Sequence, residues 1–135
     1  MMSDKEPKRI IEFVVGLDDR FNFVNVLDPA KPTPLRTQLT ERSLLVFTLS
    51  DQLIKAGWIF QGRPIEVDRD YGVNFSSFVW VEHSCDDKPA PRSSFKMIYE
   101  CARMGEYTYS LFLQDSMGQK LTLDPVFDNG TGHVP

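Results

Sequence analysis

The sequence predicts an all-β protein: an antiparallel β-sandwich, immunoglobulin-like, with about eight short strands and one short helix. Apolar residues alternate with polar residues over short runs, which is the two-residue period of half-buried strands. Turn-forming residues separate these runs at regular spacing, which is typical of a sandwich. The 135 residues suit one domain, and ten Phe, four Tyr and two Trp can fill one core.

The charged residues 1–8 predict a disordered N-terminal tail. One sandwich domain is then expected over residues 9–135, ending in a C-terminal strand segment, 125–135. The strands predicted in the first half are Arg9–Val15, Phe21–Leu27, an edge strand Arg36–Thr40, and Arg42–Leu49. Ser50 is a typical N-cap for the single predicted helix, Asp51–Ala56, and Gly57 is expected to end it.

The second half alternates strand patterns with turn signals in the same way. The predicted strands are Trp58–Phe60 and Pro64–Val67 around a turn at Gly62, Phe75–His83, Ser94–Ala102, Glu106–Gln114 and Gln119–Asp124. Two proline-rich stretches, residues 28–34 and 84–92, are predicted to be surface loops.

The last two predicted strands form a hairpin around Asp115-Ser116-Met117-Gly118, where Gly118 can adopt the left-handed conformation. A two-residue loop would put Asp124 opposite Tyr109, and a three-residue loop would put Asp124 opposite Ser110. In either register a hydroxyl group lies across the strand pair from Asp124.

The bond between Asp124 and Pro125 carries the chemistry that distinguishes this chain. The Asp124 carboxylate can attack its own carbonyl carbon and close a five-membered ring. The departing proline nitrogen belongs to a tertiary amide, which leaves readily once it is protonated. Proline also lacks an N–H and forces the preceding residue into an extended conformation, so the same dipeptide is compatible with an ordinary strand end.

A second Asp-Pro pair, Asp28-Pro29, provides an internal comparison. It has the same local chemistry but is expected in a flexible loop. If only the Asp124-Pro125 bond is cut, the fold rather than the dipeptide supplies the catalysis.

The C-terminal residues resemble those of the DP-EP family, the small bacterial Asp-Pro endopeptidases. The resemblance is carried by Leu123-Asp124-Pro125 with residues 126–130, by the stretch Tyr107–Asp115, and by the size of the chain. It implies a β-sandwich that cuts its own chain at an Asp-Pro bond and retains the C-terminal piece as a strand. It also implies that the protein can self-associate. Since a cut C-terminal piece is held only by non-covalent contacts, its exchange between copies is an expected route to homo-oligomers.

Cleavage requires an ionised Asp124 and a proton for the nitrogen of Pro125, so we sought residues that could assist. The main candidates are Tyr109, Ser110, Asp115 and Glu100, as hydrogen-bond donors or acids. Tyr109 is also a natural cross-strand packing residue, and this interpretation is preferred. Further acids by residue type are Glu82, His83 and Asp128, each of which also suits a solvated surface.

Other function classes receive little support from the sequence. The net charge is −4 and no long basic cluster occurs, which argues against nucleic acid as a partner. No apolar run approaches transmembrane length, and the N-terminus lacks a secretory pattern, so cytoplasm is expected and Cys85 and Cys101 are expected to be reduced.

We predict no metal and no cofactor, because the His83–Asp87 cluster lacks the spacing of a zinc site. The calcium-like Asp68, Asp70 and Asn74 lack the later Glu ligand. The sequence hypothesis is a self-cleaving endopeptidase whose partner is itself. The alternative is a non-catalytic β-sandwich module in which aromatic residues of the strands line a groove for a peptide or a sugar.

Overall fold

The computed structural model describes Pro7, residues 9–30 and residues 35–129, with the backbone alone at Asn129. These residues form twelve strands and one helix. The strands are β1 (Arg9–Leu17), β2 (Phe23–Asn25), β3 (Arg36–Gln38), β4 (Ser43–Leu49), β5 (Ile59–Val67), β6 (Phe75–Trp80), β7 (Ser84–Cys85), β8 (Lys88–Pro89), β9 (Ser94–Tyr99), β10 (Gly105–Gln114), β11 (Lys120–Leu123) and β12 (Val126–Asn129), with α1 (Asp51–Lys55) between β4 and β5.

Two five-stranded sheets make up most of the fold. One has the order β2-β1-β4-β9-β6. The other is built on β10, which pairs with β5, β11 and β12, and β3 adds to the far side of β12. A small hairpin, β7-β8, lies apart from both sheets.

The core forms where the apolar faces of the strands meet. β4 alternates buried and half-buried residues along its whole length, as its sequence pattern predicts. Phe13 and Phe47 stack on neighbouring strands of the first sheet, with ring centroids 4.4 Å apart. Phe47 also meets Tyr109 of the second sheet edge-on at 6.0 Å. The two sheets are therefore joined by aromatic contacts, which contribute about 0.5–1.5 kcal/mol per pair beyond area burial.

The all-β, sandwich-like class is confirmed, but the sheets are mixed rather than wholly antiparallel. β1 runs parallel to β4, and β3 runs parallel to β12. Hydrophobic alternation fixes which face of a strand is buried and does not fix strand direction, so the sequence pattern could not reveal these two pairs. The immunoglobulin-like part of the prediction remains a prediction.

The turn predicted at Gly62 is wrong, because residues 59–67 form one continuous strand. The register of β5 against β10 shifts between the Ile65–Leu111 pair and the Phe60–Leu113 pair, which leaves extra residues on β5. Such a bulge accommodates both the glycine and Pro64 without ending the strand. The predicted strand Phe21–Leu27 is shorter in the structure, and the predicted loop over residues 84–92 contains β7 and β8.

The predicted helix is confirmed as a short element with the expected N-cap. The Ser50 hydroxyl accepts a hydrogen bond from the Leu53 N–H at 3.2 Å, and Gly57 follows with φ of +94°. Among the described residues, no helix has the length and apolar character needed to cross a bilayer. The predicted tail (apart from Pro7), residues 31–34 of the predicted proline-rich loop, and residues 130–135 of the C-terminal segment lie outside the described residues.

Candidate active site at the Asp124-Pro125 bond

The Asp124-Pro125 bond lies between two strands that share one register. β11 pairs with β10 through Leu123 and Leu111, and β12 pairs with the same strand through Val126 and Thr108. β11 and β12 therefore follow one line beside β10, interrupted at the Asp-Pro dipeptide. The interruption has a local cause, because proline has no N–H to give to the ladder.

The hairpin resolves the two registers that the sequence left open. Gln114 pairs with Lys120, and the Asp115 N–H donates to the Gln119 carbonyl at 2.9 Å, so the loop has three residues. Gly118 has the expected left-handed conformation, with φ of +86°. Asp124 consequently lies opposite Ser110, and Pro125 lies opposite Tyr109.

Ser110 and Asp124 are in direct contact. The Ser110 hydroxyl donates to Asp124 Oδ1 at 2.8 Å. Asp124 is exposed, whereas Pro125 and the next three residues, 126–128, are buried. The Asp124 carboxylate is thus open to solvent and oriented by one hydroxyl, while the segment after the bond is packed into the fold.

The hydrogen-bond pattern between the strands shows the direction of the Asp124 carbonyl. The Tyr109 N–H donates to the Pro125 carbonyl at 3.1 Å, so these two residues face each other across the ladder. In an antiparallel pair the adjacent residue directs its N–H and C=O to the other side. The Asp124 carbonyl therefore points away from β10, and the nitrogen of Pro125 points toward the Tyr109 carbonyl.

A cleft of about 290 Å³ lies beside the bond. One wall is the chain from Thr122 to Pro125, and the other is formed by residues 21–23 with Leu35. β10 lies on the side of the bond that the Pro125 nitrogen faces, and the Asp124 carbonyl points to the opposite side.

The far wall includes the end of a hydrogen-bonded turn that we call the Phe21 turn, residues 18–22. Asp18 Oδ1 accepts hydrogen bonds from the N–H groups of Arg20 and Asn22, both at 2.9 Å. The bond from the Asn22 N–H is the main reason that the pKa of the Asp18 carboxyl is lowered. Phe21 is held in a left-handed conformation with φ of +63°, which is uncommon for an aromatic residue.

Sequence reasoning missed the Phe21 turn as part of the site. Residues 21–23 were assigned to the start of a strand, and about 100 positions separate them from Asp124. The Asp18 and Asn22 pair signals a side-chain-capped turn, since short polar side chains bond neighbouring backbone groups. That signal predicts a turn, but it does not show which distant residues lie beside the turn in the fold.

Tyr109 lies in the core. It is 2 % exposed, and its ring stacks on that of Phe127 with centroids 3.8 Å apart. Burial raises the pKa of its phenol well above the ordinary value, and the hydroxyl has no hydrogen-bond partner among the described residues. The side chain faces the opposite side of β10 from Ser110, so this arrangement is that of a packing residue.

The structure does not bring Asp115 or Glu100 to the bond. Asp115 Oδ1 accepts from the N–H groups of Met117 and Gln119, which fixes the hairpin loop five residues along β10, about 16 Å from Ser110. Glu100 binds Arg42 at 2.8 Å and also accepts from Ser76, both in the first-sheet region.

The remaining acidic candidates also have surroundings that do not include the Asp124-Pro125 bond. Asp128 Oδ2 accepts from Arg36 at 3.3 Å and Gln38 at 3.2 Å, four residues beyond Asp124. Glu82 is exposed, and His83 lines a different cleft. The comparison bond at Asp28-Pro29 is in an exposed turn after β2.

The metal sites considered from the sequence do not form in the part of the chain that the structure describes. No cluster of three or more His, Cys, Asp or Glu side chains could hold a metal ion there. Asp70 and Asn74 instead hold the Tyr107 hydroxyl, which donates to Asp70 at 2.6 Å and accepts from Asn74 at 2.8 Å. Cys85 is buried and Cys101 is half-buried, and no disulfide joins them in the described part of the chain.

The sequence matches no family model, and no curated protein matches it.

Proposed function

We propose that the protein is an endopeptidase that cuts its own Asp124-Pro125 bond. A carboxylate oxygen of Asp124 bonds to the carbonyl carbon of the same residue, and the bond from that carbon to the proline nitrogen breaks. The nitrogen leaves with a proton taken from solvent. The resulting cyclic anhydride is then hydrolysed, which leaves Asp124 as a C-terminus and Pro125 as an N-terminus.

The observation that carries this proposal is the contrast between the two sides of the bond. Asp124 is exposed and hydrogen-bonded by Ser110, and its carbonyl points to the side away from β10. Pro125 is buried and fixed by the N–H of Tyr109. A nucleophile and carbonyl held in one geometry can gain effective molarities of about 10⁵ M or more.

Cleavage also relieves a defect in the ladder. The Tyr109 carbonyl faces a proline nitrogen that has no hydrogen to donate. Once the bond is cut, that nitrogen becomes a secondary amine or ammonium and can donate to the carbonyl. The product therefore gains a hydrogen bond that the intact chain lacks, which favours the cut state and holds the new N-terminus in place.

The C-terminal piece has anchors that do not depend on the broken bond. Phe127 is fully buried against Tyr109, and the Val126 N–H donates to the Leu35 carbonyl at 2.8 Å. β12 lies between β10 and β3, so both of its edges are paired. We expect the piece to remain bound after cleavage and its exchange between copies to produce homo-oligomers.

The resemblance of residues 123–130 to the DP-EP family points to the same activity. We also propose a cytoplasmic location, because a chain with only two cysteines, Cys85 and Cys101, suits a reducing compartment.

Intact mass measurement of freshly purified protein at neutral pH tests the proposal, with Asp124→Ala and Asp28→Ala beside the wild type. We expect fragments 1–124 and 125–135 from the wild type and from Asp28→Ala, and a single intact chain from Asp124→Ala. Asp28→Ala is the matched control because it removes the same dipeptide chemistry from an exposed turn. A wild-type chain that stays intact for days would overturn self-cleavage.

The alternative function, a non-catalytic binding module, is favoured by the cleft and by Phe21, whose side chain is 55 % exposed beside it. Under that alternative, Asp124→Ala leaves the chain mass, assembly and ligand binding unchanged.

A further inference from the structure

β12 fills a space between β10 and β3, which we call the β12 slot, and hydrogen bonds reach the strand from both sides. It pairs antiparallel with β10 and parallel with β3. The Val126 N–H donates to the Leu35 carbonyl, and the Leu39 N–H donates to the Asp128 carbonyl, both at 2.8 Å. Main-chain bonds of this kind hold an extended chain of any sequence, so selectivity depends on the side chains.

The side chains of β12 are buried on both faces of the sheet. Val126, Phe127 and Asp128 are 5 %, 0 % and 4 % exposed. Successive residues of a strand point to opposite faces, so a strand with one solvated face has only every second side chain enclosed. Here three consecutive side chains are enclosed, and a peptide that takes the place of β12 must fit at each of them.

Phe127 lies among four aromatic rings. Its ring stacks on that of Tyr109 with centroids 3.8 Å apart, and on that of Phe75 at 5.5 Å. The rings of Phe13 and Phe47, on the facing sheet, lie at 6.3 Å and 6.4 Å. A smaller side chain would leave a cavity among these rings, which is costly. The third residue of a bound segment, counted from the position of Pro125, should therefore be aromatic.

The buried carboxylate of Asp128 is bound by two side chains of β3. Its Oδ2 accepts from Arg36 at 3.3 Å and from Gln38 at 3.2 Å. Arg36 also binds Glu106, which lies opposite Asp128 on β10. A neutral side chain in place of Asp128 would lose charge-assisted bonds, and a cationic one would face Arg36. The fourth residue of a bound segment should therefore be acidic.

The β12 slot is closed at the end where β11 stops. β11 pairs with β10 as far as Leu123, and β12 pairs with it from Val126, so only residues 124 and 125 lie between them along β10. After the proposed cut, Asp124 becomes a C-terminus in that same line. A peptide that extended beyond the position of Pro125 would run into Asp124. The slot is therefore suited to a peptide whose amino end is at this position.

Charge also favours a free amino end there. The cut leaves Asp124 with two carboxylates, the new α-carboxylate and the side chain that Ser110 binds at 2.8 Å. An ammonium group at the position of the Pro125 nitrogen is attracted by both and can donate to the Tyr109 carbonyl. An acetylated proline has neither the charge nor a hydrogen to donate.

We infer that the cut protein is a selective peptide-binding module, whose β12 slot recognises the free amino end of an extended peptide. The second residue of that peptide is apolar, the third aromatic and the fourth acidic. The piece 125–135 released by another copy is the member of this class that the chain itself supplies. The inference rests on the proposed function, because only a cut chain can exchange the occupant of the slot.

Refolding of the cut protein in competition provides the test. The cut protein is unfolded in urea and diluted into an excess of a synthetic, isotope-labelled peptide of sequence 125–135, and native mass spectrometry then measures which piece each 1–124 fragment carries. We expect the labelled peptide to replace the natural piece. Uptake should fall roughly tenfold for the amino-acetylated peptide and for Asp128→Asn, and roughly a hundredfold for Phe127→Ala.

Two variants of the protein locate the acidic preference. Arg36→Gln should narrow the preference for the natural peptide over its Asp128→Asn form, whereas Arg63→Gln, at an exposed arginine of β5, should keep it. A cut protein that binds the acetylated and substituted peptides as well as the natural one, or that recovers no piece at all, overturns the selective slot alone. A chain that stays uncut overturns the proposed function as well.

Discussion

Ser110 and Tyr109 are neighbours on β10, and their hydroxyl groups face opposite sides of the sheet. Ser110 is half-buried and donates to the Asp124 carboxylate at 2.8 Å. Tyr109 lies in the core beside Phe127, with centroids 3.8 Å apart. The strand period of two residues produces this division, so one hydroxyl can act on the bond and the other contributes packing.

Ser110→Ala should slow self-cleavage by about tenfold, because a hydrogen bond to a charged group contributes about 1.5–3 kcal/mol and here orients the nucleophile. Ser110→Thr keeps the hydroxyl on a residue that suits a strand and should cut at a rate near that of the wild type. The measurement is the time course of the 1–124 fragment by mass spectrometry. Equal rates for the alanine and threonine variants would remove Ser110 from the mechanism.

Tyr109→Phe should leave the cleavage rate unchanged and raise the free energy of unfolding by about 1 kcal/mol. The reason is that the buried hydroxyl has no partner among the described residues, and an unsatisfied buried group costs about 1–3 kcal/mol. Tyr107→Phe is the matched control, since its hydroxyl bonds Asp70 and Asn74, and it should lower stability. Urea unfolding measures both. A large loss of cleavage in Tyr109→Phe would contradict a packing role and show that the Tyr109 hydroxyl takes part in the reaction.

At the scale of elements, the Glu100 carboxylate ties three strands of the first sheet together. Glu100 follows β9, Ser76 is in β6, and Arg42 precedes β4. The hydrogen bond from Ser76, and then the bond and charge of Arg42, lower the pKa of Glu100 below its ordinary value of 4.5. A lowered folded-state pKa contributes stability above the unfolded pKa, and this contribution is lost as the pH falls through the folded pKa.

Glu100→Gln should therefore lower stability by about 1 kcal/mol at neutral pH, and the difference from the parent should shrink below about pH 4. Urea unfolding across this pH range, in an Asp124→Ala background that avoids acid cleavage of the bond, provides the measurement. Glu82→Gln, at an exposed glutamate, is the control. A stability difference that does not change with pH would contradict the role of this ion pair.

At the scale of the whole molecule, cleavage would turn one covalent chain into a two-part complex. Unfolding would then release β12 with its piece, so the stability of the cut protein should depend on protein concentration. A tenfold higher concentration should add about 1.4 kcal/mol to the apparent free energy of unfolding. The intact Asp124→Ala chain should show no such dependence in urea unfolding. If the stability of the cut protein did not depend on its concentration, the C-terminal piece would not be held by the fold.

The local parts of this molecule were predictable, and the parts that depend on distant residues were not. The cap at Ser50, the alternation of β4 and the register of the β10-β11 hairpin follow from sequence neighbours. The parallel pairs and the Phe21 turn beside Asp124 follow from contacts between segments far apart in the chain. The chemistry of the Asp-Pro bond was visible in the sequence, whereas its surroundings required the fold.

The parallel pair of β3 and β12 also bears on how the chain is made. Gln38 and Asp128, which are hydrogen-bonded, are 90 positions apart, so β12 leaves the ribosome long after β3. Until then, β3 lacks β12 as a partner, and residues 105–108 of β10 lack their neighbour on the side where β11 is already paired. A messenger truncated before the codon for Val126 would thus yield a chain with two open edges, which invite aggregation. The second sheet can therefore close only after β12 has been synthesised, however early β3 emerges.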